Sequence, residues 1–336
     1  MKHNFKKVLV TGGAGCIGMQ VCNELLSRGI KVVLFDLYEQ INVSKERIND
    51  KIELYYGSIL DESSLREAIR GCDAVIHLAA YLGVRRTEVN SLRCLDININ
   101  GTKKVLDASV QSGVKKIVFA SSSEVYGEPK KNPISEDAPT QGKTVYAISK
   151  LAGEELVKAY NSEFQKIQYT NLRYFNTYGP YQIAQFVIPK FIRNVMNDKS
   201  PVVYGDGTQE RSYSFSEDTA RGTVDALLST KTDSETINIG NSNSLISLKD
   251  LGEKIIKLCG KQEKLKIIVK NNFENTDRNE DREIFRRFCS TDKAKKLINY
   301  EPEVSLDDGI KKIIEIGILY PKWATSEKGY TIDDYL

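Results

Sequence analysis

The chain has 336 residues, of which 40% are apolar and 28% charged, and its net charge is +3 from 48 basic and 45 acidic side chains. This composition is ordinary for a globular protein and provides no basic field for nucleic acid. No apolar run reaches the roughly 20 residues that a membrane helix needs.

The first residues run from two lysines directly into a short apolar strand, without the apolar core and cleavage site of a secretory signal peptide. The six cysteines are scattered without a CxxC pair, and with only two histidines a zinc site is not expected. We therefore expect a cytoplasmic protein with reduced thiols, no membrane association and no bound metal.

Short apolar strands alternate with helical patterns in the N-terminal half. Strands are predicted at 6–12, 31–36, 52–57, 72–80 and 115–123, and helices at 15–29, after the capping residue Asp61, and at 91–112. Strands this apolar suit a parallel sheet covered on both faces. The alternation predicts an α/β fold of the doubly wound Rossmann type.

The pattern becomes less regular after about residue 172. Loops that contain Gly and Pro separate predicted helices at 185–197, 217–230, 247–259 and 307–318. We predict a Rossmann domain over residues 1–172 and a smaller C-terminal α/β lobe over residues 173–336, with some segments returning to the first domain. Such a lobe would cover the carboxyl edge of the sheet, where open α/β sheets bind their ligands.

Gly12, Gly15 and Gly18 have the spacing G-x-x-G-x-x-G, directly after the first strand and at the start of the first helix. Glycines permit a tight turn and let the backbone approach a diphosphate, which the amino end of a helix binds. Asp36 ends the next strand, where a carboxylate accepts hydrogen bonds from the adenosine ribose and repels a 2′-phosphate. This context predicts NAD as the cofactor.

Tyr146 and Lys150 in the segment YAISK lie four residues apart and therefore share one face of a helix. A tyrosine with an ordinary pKa near 10 is a poor base at neutral pH. A neighbouring ammonium, together with the positive charge of an oxidised nicotinamide, would favour the phenolate. Ser122, at the end of strand 115–123, can hydrogen-bond the same substrate hydroxyl. We predict that these three residues are catalytic.

The order of several motifs resembles the extended short-chain dehydrogenases/reductases of the NAD-dependent nucleotide-sugar epimerase/dehydratase family. The resemblance rests on TGGAGCIG, HLAA, NINGT, SSSEVYG, YAISK, RYFNTYGP, GDGTQER and EPEVSLDDGI, which span nearly the whole chain. It implies an enzyme that oxidises the sugar of a nucleotide diphosphate sugar at C4. Tyr146 would take the hydroxyl proton, Lys150 would contact the nicotinamide ribose, and Asn98 would orient nearby backbone.

The resemblance also implies the remaining contacts. Cofactor contacts are expected at Gly12, Gly15, Cys16, Ile17, Gly18, Asp36, Ser58, Ile59, Leu78, Ala79 and Ala80, although Ser58 stands where the family often has Asp. Substrate contacts are expected at Ser123, Asn176, Arg211 and Arg282, the last chosen from a cluster with Arg286 and Arg287. Arginine suits this role because a guanidinium can hold a phosphate bidentately.

Glu124 is also predicted to be catalytic, and it bears on the fate of the C4 ketone. Four outcomes stay open: epimerisation, 4,6-dehydration, decarboxylation, and release of the ketone by a 4-dehydrogenase. A carboxylate that faces the sugar can act as a base at C5, whereas one bound to a backbone amide cannot. Ser123 stands where the deoxythymidine-linked dehydratases have Asp, which puts that type of dehydratase in doubt.

Members of this family usually dimerise through helices that correspond to residues 92–110 and 144–164, so a homodimer or homotetramer is expected. The apolar residues in these helices that fit either such a face or a single-chain core are Val105, Leu106, Leu151, Leu156 and Val157.

Two other classes of function stay open at this point. The intact Ser122, Tyr146 and Lys150 count against an NAD-binding scaffold without activity. The motifs around Asn176 and Arg211 count against a reductase of unrelated small carbonyl compounds.

Overall fold

The computed structural model describes residues 1–183, 186–270 and 284–319. The strands are β1 Lys7–Thr11, β2 Lys31–Asp36, β3 Glu53–Tyr56, β4 Ala74–His77, β5 Lys116–Ser122, β6 Gln168–Tyr174, β7 Thr177–Tyr178, β8 Val202–Tyr204, β9 Glu210–Ser212, β10 Ser214–Phe215, β11 Glu235–Ile239, β12 Leu245–Ser247, β13 Ile268–Lys270 and β14 Arg286–Arg287. The helices are α1 Cys16–Ser27, α2 Tyr38–Ser44, α3 Glu62–Ile69, α4 Val84–Val89, α5 Ser91–Leu95, α6 Gly101–Gln111, α7 Val145–Phe164, α8 Val187–Met196, α9 Ser216–Leu228, α10 Leu248–Leu258, α11 Asp292–Ile298 and α12 Leu306–Leu319.

Seven parallel strands form the central sheet, in the order β11-β6-β5-β4-β1-β2-β3. Consecutive residues of β1 point to opposite faces: Val8 and Val10 enter one apolar layer, and Leu9 enters the other. Helices α1, α9 and α11 cover the first face, and α3, α6 and α7 cover the second. This arrangement confirms the predicted doubly wound fold. Its strand order reverses at β1 and β4, where a crevice opens at the carboxyl ends of the strands.

The C-terminal half contributes to the same sheet. Strand β6 continues to Tyr174, so the predicted boundary at residue 172 falls inside a strand. Strand β11, which was not predicted, pairs in parallel with β6. Its sequence ETINI contains Asn238, which is buried and accepts a hydrogen bond of 2.7 Å from the hydroxyl of Tyr126. Asparagine is common in loops, but Asn238 is part of the buried core.

Two predicted boundaries were wrong for local reasons. Strand β4 ends at His77, and the N–H of Ala79 beyond it donates to the hydroxyl of Thr11 rather than to a backbone carbonyl. The predicted helix 91–112 is divided by a π-helical turn, Asp96–Asn100, between α5 and α6. Such turns are frequent at functional sites.

The remaining elements form a smaller lobe. Helices α8, α10 and α12 enclose an apolar cluster with Phe191, Leu251 and Ile310 near its centre. Beside it lie the strand pair β8–β13 and the three-stranded sheet β12-β9-β14. Among the described ranges, no helix combines the length and apolarity needed to cross a bilayer. The same part of the chain holds no cluster of three or more potential metal ligands.

The apolar residues predicted to fit either a dimer face or a single-chain core pack, wholly or in part, against the core of one chain. Val105, Leu106 and Val157 are buried between the sheet and its helices, so they belong to the core of one chain. Leu151 and Leu156 are partly buried against core clusters. Large apolar side chains are exposed instead at Val89, Leu92 and Ile148, which lie on α4, α5 and α7.

Candidate active site

A cavity of about 1050 Å³ lies at the carboxyl edge of the central sheet and extends under the smaller lobe. The loops after β1, β2, β4 and β5 form one wall, and segments that follow β6 form the other. One cavity of this size, shared by two parts of the fold, can hold two ligands in contact.

The glycine-rich loop is packed too closely for side chains. Gly12 has φ +70°, and a Cβ there would lie 2.7 Å from the backbone nitrogen of Ala79. A Cβ on Gly18 would lie 2.2 Å from the carbonyl oxygen of Gly12. Gly15 precedes α1, so the free N–H groups at the amino end of that helix face the cavity. This geometry fits a bound diphosphate.

Asp36 anchors the same loop. Its carboxylate accepts hydrogen bonds from the backbone N–H of Ala14 at 3.0 Å and of Leu37 at 2.8 Å. Burial nevertheless raises the pKa of Asp36 to about 6. The carboxylate lines the cavity beside the glycine loop, where an adenosine ribose would be held.

The other residues expected to contact the cofactor also line this cavity. They are Cys16, Ile17, Ser58, Ile59, Leu78, Ala79 and Ala80. His77 supports this wall from below: it is buried between the hydroxyls of Thr11, at 2.7 Å, and Thr102, at 3.0 Å. Burial lowers the pKa of His77 to about 3, so the imidazole is neutral. Its supporting role was not predicted.

Tyr146 and Lys150 begin α7 and face the cavity together with Ser122 from the end of β5. The nitrogen of Lys150 lies 5.7 Å from the centre of the Tyr146 ring and donates a hydrogen bond of 2.7 Å to the carbonyl oxygen of Ala120. Burial lowers the pKa of Lys150 to about 8. The hydroxyl of Ser122 accepts a hydrogen bond of 3.2 Å from the N–H of Glu124, and its interaction with the phenol of Tyr146 lowers the pKa of that phenol.

The electrostatic balance at Tyr146 differs from the expectation. Burial raises the pKa of Tyr146 well above its ordinary value, the negative charge of Glu124 adds to this effect, and the interaction with Ser122 opposes it. The side chains of the protein alone therefore favour the neutral phenol. A positive charge supplied beside the ring would be needed to shift this balance.

Glu124 points into the cavity rather than to a backbone amide. Its carboxylate accepts a hydrogen bond of 3.1 Å from the hydroxyl of Thr144, the residue that caps the amino end of α7. The Thr144 hydroxyl in turn accepts a bond of 3.0 Å from the N–H of Ala147. Glu124 is thus held beside Tyr146. Its neighbour Ser123 is buried and lines the same cavity.

Asn98 orients backbone, as the resemblance implied. From the π-helical turn, its amide accepts from the N–H of Tyr81 at 2.7 Å and donates to the carbonyl oxygen of Tyr81 at 3.0 Å. It also donates to the hydroxyl of Ser149 on α7 at 2.9 Å. These bonds connect the loop after β4 to the helix that carries Tyr146.

The opposite end of the cavity carries positive charge. Asn176, which has φ +23°, and Arg211 both line it. The guanidinium of Arg211 donates to the carbonyl oxygens of Ile284 and Phe285, the latter at 3.1 Å, and is thereby held against the segment that leads into β14.

A second arginine at this end was not among the residues predicted to contact the substrate. Arg287 is only 9% exposed and lines the cavity, and its Nε has no hydrogen-bond partner among the described residues. The adjacent Arg286 points away, with its Nε 2.8 Å from the carboxylate of Glu210. Arg282, which was preferred, lies outside the described residues.

The chain is similar to proteins of known family and known structure. Residues 8–240 match the model of the NAD dependent epimerase/dehydratase family. A UDP-N-acetyl-alpha-D-glucosaminuronate decarboxylase of Bacillus cytotoxicus is 35% identical over 320 residues, which cover 92% of this chain and 97% of that protein. The crystal structure of UDP-glucuronic acid 4-epimerase from Bacillus cereus, in complex with UDP-glucuronic acid and NAD, is 32% identical with a TM-score of 0.82 and covers 94% of this chain and all of that one. The epimerase Mth375 of Methanothermobacter thermautotrophicus has a TM-score of 0.86 at 29% identity and covers 95% and 94% of the two chains.

Proposed function

Because the chain belongs to the NAD-dependent epimerase/dehydratase family, we propose that its cavity binds a UDP-linked sugar and oxidises the sugar at C4 with Tyr146 as the base. One observation carries this proposal. Tyr146, Ser122 and Lys150 lie on the wall of a cavity that reaches Asp36 at one end and Arg287 at the other.

The glycine loop and Asp36 fit NAD at the first end, because a side chain at Gly12 or Gly18 would collide with backbone and the amino end of α1 is open to the cavity. When bound there, NAD supplies the hydride acceptor for C4 and a positive charge near the phenol. Lys150 would hold the nicotinamide ribose.

The proton of the C4 hydroxyl would be taken by the protein rather than by NAD. The phenolate oxygen of Tyr146 would accept the proton of the C4 hydroxyl, and Ser122 would hydrogen-bond the same hydroxyl. Bound NAD and the ammonium of Lys150 together would favour the phenolate, and the bond of Lys150 to Ala120 keeps the ammonium at that position. Removal of the proton and of the hydride converts the C4 alcohol to a ketone.

Asn176, Arg211 and Arg287 would hold the substrate diphosphate. The bond from Arg211 to the residues before β14 places its guanidinium close to that strand, so two positive charges meet the two phosphates. UDP is the nucleotide that we propose, because the Bacillus cytotoxicus decarboxylase and the Bacillus cereus 4-epimerase both act on UDP-linked sugars.

Two reactions can consume the C4 ketone. In epimerisation, the ketone takes the hydride back on its other face and Tyr146 returns the proton. In decarboxylation of a uronic acid, the bond between C5 and the carboxylate carbon breaks, CO2 leaves, and C5 gains a proton. The C4 ketone then takes back the hydride and a proton to give a pentose. Glu124 lies beside Tyr146, and a carboxyl group there can exchange a proton with C5. This position supports decarboxylation as the alternative to epimerisation.

Loss of the C6 hydroxyl in the manner of the deoxythymidine-linked dehydratases has less support. Ser123 occupies the position of their Asp, and a buried hydroxyl is a poor proton donor to a leaving group.

A panel of UDP-glucose, UDP-N-acetylglucosamine, UDP-glucuronic acid and UDP-N-acetylglucosaminuronic acid tests this proposal. We expect transient absorbance near 340 nm with the accepted sugar, and product NMR distinguishes an epimer from a pentose. Glu124→Gln should stop decarboxylation and spare epimerisation. A protein that holds NAD but gives no absorbance change and no product with any nucleotide sugar would be a scaffold.

We also propose that the protein is a cytoplasmic homodimer. Val89, Leu92 and Ile148 expose apolar surface on neighbouring helices, and Leu92 is 83% exposed. The six cysteines are free thiols, as suits a reducing compartment. Light scattering should give the mass of two chains for the wild type and of one chain for Leu92→Asp.

A further inference from the structure

Arg47 lies where the short helical turn after α2 reaches the cavity. Its guanidinium carbon is 3.8 Å from the centre of the Tyr181 ring, which is stacking distance. Its NH2 group donates a hydrogen bond of 2.6 Å to the hydroxyl of Ser44. These two contacts fix the plane and the position of the cation.

The same contacts bring Arg47 to the glycine loop. The hydroxyl of Ser44 donates to the carbonyl oxygen of Ala14 at 3.1 Å, and the N–H of Ala14 donates to Asp36. Arg47 is thus linked through Ser44 to the glycine loop that leads into α1, and it lines the same cavity as Cys16, the first residue of that helix.

We infer that Arg47 is a cofactor-binding residue, whose guanidinium contacts the diphosphate of NAD across from the glycine loop while the ring of Tyr181 holds it in place. A glycine loop offers backbone N–H groups and a helix dipole, which carry no full charge. A guanidinium adds a full charge and paired donors that match phosphate oxygens.

Tyr181 gives this contact a second consequence. It lies at φ +61° in the loop after β7, on the side of the cavity that the smaller lobe forms, whereas Arg47 belongs to the Rossmann side. A non-glycine residue in this conformation is held there by its surroundings. The stacked pair therefore joins the two walls of the cavity at the cofactor diphosphate.

Binding of nucleotides to the nucleotide-free protein tests the inference without turnover. Arg47→Gln should weaken binding of NAD and of ADP by roughly 10-fold, the effect of one hydrogen bond to a charged group, and should leave adenosine binding unchanged. Raising the salt concentration should reduce the difference in NAD affinity between the wild type and Arg47→Gln. Tyr181→Leu should weaken NAD binding by a smaller factor, and Tyr181→Phe should not, because a phenyl ring keeps the face on which the guanidinium stacks.

Lys45 is the matched control, since it is an exposed cation on the same turn, and Lys45→Gln should bind NAD as the wild type does. Thermal melting without nucleotide verifies that each variant is folded. Unchanged NAD affinity in a folded Arg47→Gln protein would overturn the inference. So would an equal loss for adenosine and ADP, or a loss confined to NADP, which would place Arg47 at the 2′-position of the ribose.

Discussion

The two ends of the cavity are built in different ways. The glycine loop and carboxylate of the proposed cofactor end come from one continuous stretch, in which β1, the glycine loop, α1 and β2 follow one another and Asp36 closes the unit. The proposed substrate end takes Arg211 from β9 and Arg287 from β14, which are far apart in sequence and pair in parallel. Local backbone geometry brings together the residues of the first end. The residues of the second end come together only when β9 and β14 pair in one particular register.

The largest effect is expected between the two ends, where both ligands would meet Tyr146. Tyr146→Phe removes the oxygen that is proposed to take the C4 proton and keeps the ring. Turnover should fall on the order of 10³-fold, the usual contribution of a general base. NAD binding, measured by calorimetry, should stay within a factor of about two. Normal turnover in this variant would remove Tyr146 from the mechanism.

The next largest effect tests the local construction of the cofactor end. Gly18→Ala would place a Cβ 2.2 Å from the carbonyl oxygen of Gly12 and 2.7 Å from the Cα of Gly13. Neither backbone atom can move without distorting the loop, so the free energy of unfolding should fall by about 3 kcal/mol, and NAD binding should be lost.

Gly29→Ala is the control in the same unit. Gly29 has φ +73° but nothing within 4 Å of an added Cβ, so only the left-handed conformation costs energy, about 1 kcal/mol. Urea unfolding without nucleotide measures both variants. If both variants lost the same free energy of unfolding, the close backbone contact at Gly18 would not be what excludes a side chain from the loop.

The substrate end is tested by two neighbouring arginines. Arg287→Met should raise the KM for the UDP-sugar by about 10- to 100-fold, because the proposed phosphate contact of a buried guanidinium would be lost. Arg286→Met removes an exposed pair with Glu210 and a contact with the Phe288 ring, and should change KM less than about twofold. NAD affinity should stay the same in both. A larger effect from Arg286 would mean that the register of β14 differs from the one described.

The smallest effect is a dependence of NAD binding on pH. The ionised carboxylate of Asp36 would accept hydrogen bonds from the ribose in the proposed complex, and its pKa in the folded protein is about 6. NAD affinity should therefore fall about fourfold between pH 7 and pH 5.5 in the wild type, as Asp36 takes up a proton. Asp36→Asn should bind NAD weakly with little change over that range, when binding is followed by calorimetry.

The raised pKa of Asp36 also predicts how the free energy of unfolding depends on pH. Because burial raises the folded pKa of Asp36 above the ordinary value of 3.8, the folded state binds more protons than the unfolded state between pH 3.8 and about 6. The contribution of this residue to the free energy of unfolding should decrease as pH rises through that window. Urea unfolding of wild type and Asp36→Asn without nucleotide measures it.

Sequence patterns predicted the elements whose signals are contiguous. The strand KVVLFD is β2 over the predicted residues, and Asp61 caps α3 through the N–H of Ser63. Strand β11 was missed because its buried Asn238 finds partners on distant segments, such as the Tyr126 hydroxyl. The π-helical turn was missed because Asn98 is held by the backbone of Tyr81, a contact that no helical periodicity contains.

By itself, the sequence determined the doubly wound fold, the glycine loop with its carboxylate, and the pairing of Tyr146 with Lys150 on one helix face. Each depends on residues within one turn or one strand–turn–helix unit, where backbone geometry sets the distances. Tertiary structure alone decided that Arg287 rather than Arg286 faces the cavity, since adjacent strand residues point to opposite faces and only the pairing with β9 selects between them. It also decided the pKa values, because burial and the charge of Glu124 raise the pKa of Tyr146 against the effect expected from its helical neighbour.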